Sequence, residues 1–354
     1  MQIRKSFQNN LFSSMKMILY TMSILTLLSS ISCTKGNNNQ PLQKVQMYIP
    51  HEGAENFQFM NFWVAQGLGL FEQEGIDLEV TVAATQGSFI QAGADIAIMP
   101  NPAFLNQAAN GAPLKAFANT FQHDPANLII RESIATNRGL SINMTLKQKL
   151  MGLQGLRVGV AQGPKRRLLK MFEVEGLDAN TIIDIIEISG HNQNQAFEDD
   201  VIDAIFIHTP YLEHALINQG ATLLIHNSKG EPAALSDLNI HLMVTTQNYL
   251  NNNEAIIQGI TNALCKAQQI IKSDKALTIL AIQNSGMTMN DPNTIGVIYD
   301  IYVDAIPSSP AFFNSWARGI AISATNPNLP ITPTLAENHV ERKFTEVHLS
   351  CSCQ

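Results

Sequence analysis

Histidine, glutamate, asparagine and phenylalanine cluster at His51, Glu52, Asn56 and Phe57, directly after an apolar run at 45–49. Polar groups recur at comparable places further on: Asn101 after the run 96–99, and His208, Thr209 and Tyr211 after 204–207. Asn119 and Thr120, with Gln122 and His123, leave the run 116–118, and Gln162 and Gly163 follow 156–161. Such side chains offer donors, acceptors and ring faces, the equipment for holding a small polar solute without covalent chemistry in a concave, largely apolar site. We take all of them except Gln122 and His123 as candidate ligand-binding residues. Asn101 and Thr209 read first as helix caps, Phe57 as either a stacking wall or core, and Gln162-Gly163 as a helix start whose N–H groups face an anion or carbonyl.

Signals for bond-making chemistry are thin. The run Val158, Gly159, Val160, Ala161, Gln162, Gly163 lacks the third glycine of a dinucleotide fingerprint, His51-Glu52 lacks the second histidine of a zinc-protease helix, and no nucleophile elbow occurs. His191, His208, His214 and His226 show no ligand spacing, so no metal, cofactor or catalytic residue is expected. With 22 basic against 29 acidic side chains the net charge is −7. That balance argues against a nucleic-acid partner. The block Lys165, Arg166, Arg167 reads as an anion attractor or, on the ordinary reading, a solvated helix face.

The elements that must position these groups follow from the apolar pattern. A chain of 354 residues, 45% hydrophobic, buries a sizeable core and exceeds the roughly 250–300 residues at which single cores divide. Short apolar runs alternate with amphipathic stretches, as in βαβ units. Strands are expected at 45–49, 76–82, 126–130, 156–161, 181–188, 221–225 and 241–245, and helices at 56–70 and from 253 onward. Two segments echo each other: Asp95, an apolar strand, then Asn101-Pro102; and Asp203, an apolar strand, then Thr209-Pro210. Each predicts a strand, a tight loop and a helix start, and ligands gather at such strand ends in α/β sheets.

The first 33 residues differ in kind. Arg4, Lys5 and Lys16 precede an apolar run at 17–28 that is short for a bilayer span, then small residues lead into Cys33. This predicts a signal peptide over 1–33 with a lipoprotein-like Cys33, and a polar tether at 34–43. Cys351 and Cys353 lack the further ligands of a tetrahedral metal site. Prolines 327, 330 and 333 predict an irregular tail over 323–354.

One stretch carries a family pattern: Trp63 and Ala65, then Gly67, Phe71, Glu72, Glu74, Gly75, Asp77 and Glu79. In the same order follow Gly93, Asp95 and Ala97, then Gly111 with Pro113, Gly155 with Val158, Gly176 with Asp178, and Asp203 with Ala204. Together these resemble the solute-binding proteins that serve ABC importers of nitrate, sulfonates, taurine and the pyrimidine precursor of thiamine. The resemblance spans about 45–270. It implies a two-lobed α/β periplasmic binding protein architecture, type II or Venus-flytrap, with lobe 1 formed by 44–130 plus 232–322 and lobe 2 by 131–231. It also implies a small-molecule ligand, an ABC permease with its ATPase as partners, a monomer, and no enzymatic step. The chain is then expected to be exported and anchored to the membrane through lipidated Cys33. A thiamine-precursor-like heteroaromatic is slightly preferred over sulfonate, taurine or nitrate. Pyrimidine-precursor synthases share this fold, but they add a cysteine-rich motif and a cofactor-binding lysine; no cysteine run occurs at 190–210 and no lysine at 45–114. A lipoprotein using the fold for something other than transport is the remaining alternative.

Overall fold

The computed structural model describes residues 41–50, 56–82, 89–323 and 325–346. Cys33, the signal segment, residues 34–40 of the tether, His51, Glu52 and the last eight residues lie outside that set, and the expected tether runs one residue too far, since Gln43 already belongs to a strand.

Among the described residues, ten strands make two five-stranded sheets. In the first, β1 (Gln43–Ile49) pairs in parallel with β2 (Ile76–Val82) and with β3 (Ile96–Pro100), while β10 (His241–Thr246) runs antiparallel between β3 and β4 (Leu114–Phe121). In the second, β6 (Arg157–Val160) pairs in parallel with β7 (Asp184–Glu187) and β8 (Ala204–Ile207), while β5 (Asn127–Arg131) runs antiparallel between β8 and β9 (Ala221–Ile225). The two sheets share one plan, four parallel strands and one reversed strand in fourth place. In each the reversed strand is the one that has just crossed from the other sheet.

The crossing therefore falls before β5, not after 130 as the pattern suggested. Leu128, Ile129 and Ile130 are all buried because β5 is an interior strand covered on both faces, and such strands read as continuous apolar runs without marking their sheet. The two crossing segments hold each other: Leu238 N donates to Gln122 O at 2.7 Å and Asp124 N to Leu235 O at 3.0 Å.

Helices cover the sheets where the apolar spacing demands it. In Glu254–Ser273, Ile256, Ile260, Leu264 and Ile271 form the buried stripe. Burial of such a side chain contributes about 1.5–3 kcal/mol. Helix Met60–Gly67 buries six consecutive residues, and its last member approaches helix Lys275–Asn284 so closely that a Cβ on Gly67 would sit 1.8 Å from Ala281 O. Only glycine fits that crossing.

The C-terminal segment is more ordered than its prolines suggested. Thr332 Oγ1 caps helix Pro333–Asn338 by accepting from Leu335 N at 3.0 Å, with Pro333 at the first helical position, where its missing N–H costs nothing. Val340 then bridges Ala116, covering the edge of β4.

Candidate functional site

A cavity of about 500 Å³ lies between the sheets. Pro50, Pro100, Asn101 and His241 close it from the first sheet; Ala161, Gly163, Arg167, Gly190, His191, His208 and Tyr211 close it from the second. Three helices start at its wall: Asn101–Ala109, Gln162–Val174 and Gly190–Glu198, and none has a side-chain cap. Their first-turn N–H groups carry the positive ends of the helix dipoles.

Asn101 is the first residue of its helix rather than the cap, which is Pro100. The side chain is thereby released from capping: it is 3% exposed, lines the cavity, and its Oδ1 has no hydrogen-bond partner. His241 heads β10 with its ring 5.2 Å from that of Phe59 and 5.7 Å from that of Phe121, and its Nδ1 is also without a partner. Burial, with His208 and Arg167 nearby, pushes the His241 pKa down to about 3, so the ring is neutral.

Arg167 is the cation of this wall. Its Nε lies 2.9 Å from Oδ1 of Asp124, which is wholly buried on the first crossing. The contact is an ion pair rather than an aligned hydrogen bond, since neither Arg167 Nε nor Asp124 Oδ2 has a well-directed partner. Burial pushes the Asp124 pKa up, opposed first by the Arg167 charge and then by the Ala126 N–H, which donates to Asp124 Oδ1 at 3.0 Å. The rest of the basic block faces elsewhere: Lys165 pairs with Glu187, and Arg166 donates to Ala321 O at 2.6 Å.

Contacts also join the two lobes beside the cavity. Gln58 Nε2 approaches His208 Nδ1 at 2.9 Å. Tyr302 OH accepts from Thr209 N and donates to Pro125 O, both at 3.0 Å. Gly190 is required where it stands, because a Cβ there would lie 2.7 Å from the Tyr211 ring.

Of the residues singled out in the sequence, Asn56, Asn101, Gly163, His208 and Tyr211 line this cavity. Five others lie away from its lining. Phe57 is core. Asn119 donates to Leu238 O at 3.4 Å, and Thr120 to His241 O at 3.0 Å. Thr209 is buried and donates to Glu213 Oε1 at 2.9 Å; the helix after it begins only at Leu212, so the echo of Asn101 ends at the strand. Gln162 is exposed. Gln58, Phe59, Gly190, His241 and Gly319 are lining residues the sequence reading did not single out. A strand that begins with histidine was the one available hint for His241. No group of three or more metal-ligating side chains occurs among the described residues, and no helix among them is long and apolar enough to cross a membrane.

The model of the family described as NMT1/THI5 like matches residues 56–275. The chain belongs to the NMT1/THI5-like family. It is 23% identical over 295 residues to YtlA of Bacillus subtilis (strain 168), a candidate binding protein by its name, covering 81% of this chain and 83% of that one. Among solved structures, the alkanesulfonate-binding protein SsuA from Xanthomonas axonopodis pv. citri, bound to MOPS, superposes with a TM-score of 0.57 at 16% identity, covering 84% of this chain and 98% of that one. The nitrate-binding protein NrtA from Synechocystis PCC 6803 gives 0.50 at 12% identity over 70% and 67%. The architecture is that of the two-lobed α/β periplasmic binding proteins.

Proposed function

We propose that this chain is the exported solute-binding component of an ABC importer, working with a permease and its ATPase and carrying out no chemical conversion itself. The observation that carries the reading is the pair of buried polar atoms without protein partners, Asn101 Oδ1 and His241 Nδ1, in residues lining a cavity between two lobes. Buried polar atoms are nearly always satisfied, so orphans beside an interlobe cavity point to a guest that completes them. The names of the relatives, a binding protein and the sulfonate and nitrate binders, support the same class.

For the guest we favour a small uncharged heteroaromatic resembling the thiamine pyrimidine precursor. Asp124 already neutralises Arg167, His241 is neutral, and Phe59, Tyr211 and five prolines supply flat apolar walls. An oxyanion is the second reading, favoured by the three uncapped helix starts at the wall. For export and anchoring through Cys33, the support is the amino-terminal pattern of basic residues, a short apolar run and small residues before the cysteine.

The test is mass spectrometry of small molecules released from denatured purified protein, followed by calorimetric titration with 4-amino-5-hydroxymethyl-2-methylpyrimidine, taurine and nitrate. Binding of the aminopyrimidine is expected. Recovery of a sulfonate or nitrate would replace the first reading with the second, and release of a chemically altered guest would remove the transport reading altogether.

A further inference from the structure

Helix Trp316–Ile322 is seated in both lobes at once. At its start Trp316 packs in the apolar cluster of the first lobe with Met99 and Phe104, and its Nε1 donates to Glu337 Oε2 at 2.9 Å. At its end Ile322, 2% exposed, packs in the cluster of the second lobe with Leu168 and Phe206. The carbonyl of Ala321 accepts from Arg166 Nε at 2.6 Å. Between these ends Gly319, Ile322 and Ser323 form a wall of the cavity, and a Cβ on Gly319 would stand 3.3 Å from Asn101 Nδ2. The family match itself ends at residue 275.

A helix of seven residues has little stability of its own, and its position is set by what its side chains grip. The two grips are unequal. Toward the first lobe the chain is held by Trp316, then by Asn326 N donating to Asn106 Oδ1 at 2.8 Å, then by two backbone bonds to Ala116, from its N–H to His339 O and to its carbonyl from Glu341 N, each 2.8 Å. Toward the second lobe it is held by Ile322 and the bond from Arg166, an exposed residue, and Ser315 Oγ and Arg318 Nη2 donate to Asp237 O on the second crossing at 2.6 and 3.3 Å. An element pinned to two bodies restrains their separation, and when the bodies part the weaker grip gives first.

We propose that helix Trp316–Ile322 is a latch and a movable wall: it stays with the first lobe, and release of Ile322 and Arg166 opens the cavity. The inference concerns the opening of the cavity and holds for either ligand reading.

Hydrogen exchange and small-angle scattering on the full-length, ligand-free protein test it, comparing wild type with Arg166→Ala, which alters no cavity-lining residue, and with Ile322→Ala. Loss of one such bond is expected to speed amide exchange about fivefold to tenfold in 316–323. The latch requires the same acceleration in the backbone beneath the cavity, 100–104 and 240–243, together with a larger radius of gyration. Acceleration confined to 316–323 with unchanged scattering would show a local packing role and overturn the proposal, as would no acceleration at all. Should Ile322→Ala fail to fold, Arg166→Ala decides alone.

Discussion

Arg167 at the cavity wall and Asp124 on the first crossing stand 2.9 Å apart, the carboxylate wholly buried and the guanidinium nearly so. The pair ties the second lobe's leading helix to the segment that joins the lobes, and it decides the charge that a guest meets. Removing one member of a buried pair leaves the other uncompensated at a cost of about 3–5 kcal/mol. Asp124→Asn should therefore lower the melting temperature and, with Arg167 freed, create affinity for taurine or nitrate. Calorimetry that detects no anion binding to a folded Asp124→Asn protein would show that Arg167 does not reach the guest.

Asn101 separates stability from function. Its Oδ1 satisfies nothing in the protein, so Asn101→Ala should leave the melting temperature unchanged or raise it. Affinity for whichever solute the titrations identify should fall about tenfold, the worth of one hydrogen bond of roughly 1.4 kcal/mol. A variant that loses stability while binding normally would make Asn101 a structural residue.

The neutral His241 predicts an acid limb in the stability profile. Its folded pKa, about 3, lies below the ordinary value of 6.5, so below pH 6.5 the unfolded chain binds a proton that the native ring refuses. Stability is then full above about pH 6.5 and falls by up to about 1.4 kcal/mol per pH unit on acidification toward pH 3. Burial lowers His123 and His226 too, adding losses of the same sign. Chemical denaturation from pH 7 to 4.5 should show this slope, reduced in His241→Phe; an equal slope in both proteins would assign it to other groups.

Gly67 tests the packing that fixes the first lobe. A Cβ at 1.8 Å from a backbone oxygen cannot be accommodated by a rotamer change, so Gly67→Ala must separate two helices. Overpacking of this kind typically costs about 1–3 kcal/mol. A melting temperature equal to that of wild type would show that helix Lys275–Asn284 is free to shift.

Much of this molecule is legible in one dimension. Strict alternation at 76–82 marks a strand exposed on one face, and β2 occupies Ile76–Val82. The four-residue spacing of Ile256, Ile260 and Leu264 marks the buried stripe of a helix. Local periodicity determines these because each face meets one environment, and the ordered glycine and acidic positions from 63 to 204 were enough to point to the fold. Other features were not legible. Which sheet β5 joins depends on partners 74 or more residues away, and a fully buried strand carries no signature of them. Whether Asn101 caps a helix or faces a cavity turns on a shift of one residue in where that helix begins. The neutralisation of Arg167 by a buried carboxylate 43 positions earlier, and the arrival of Gly319 beside Asn101, are meetings of distant segments. Periodicity reports which side of an element is dry; only the packed chain determines what stands opposite it.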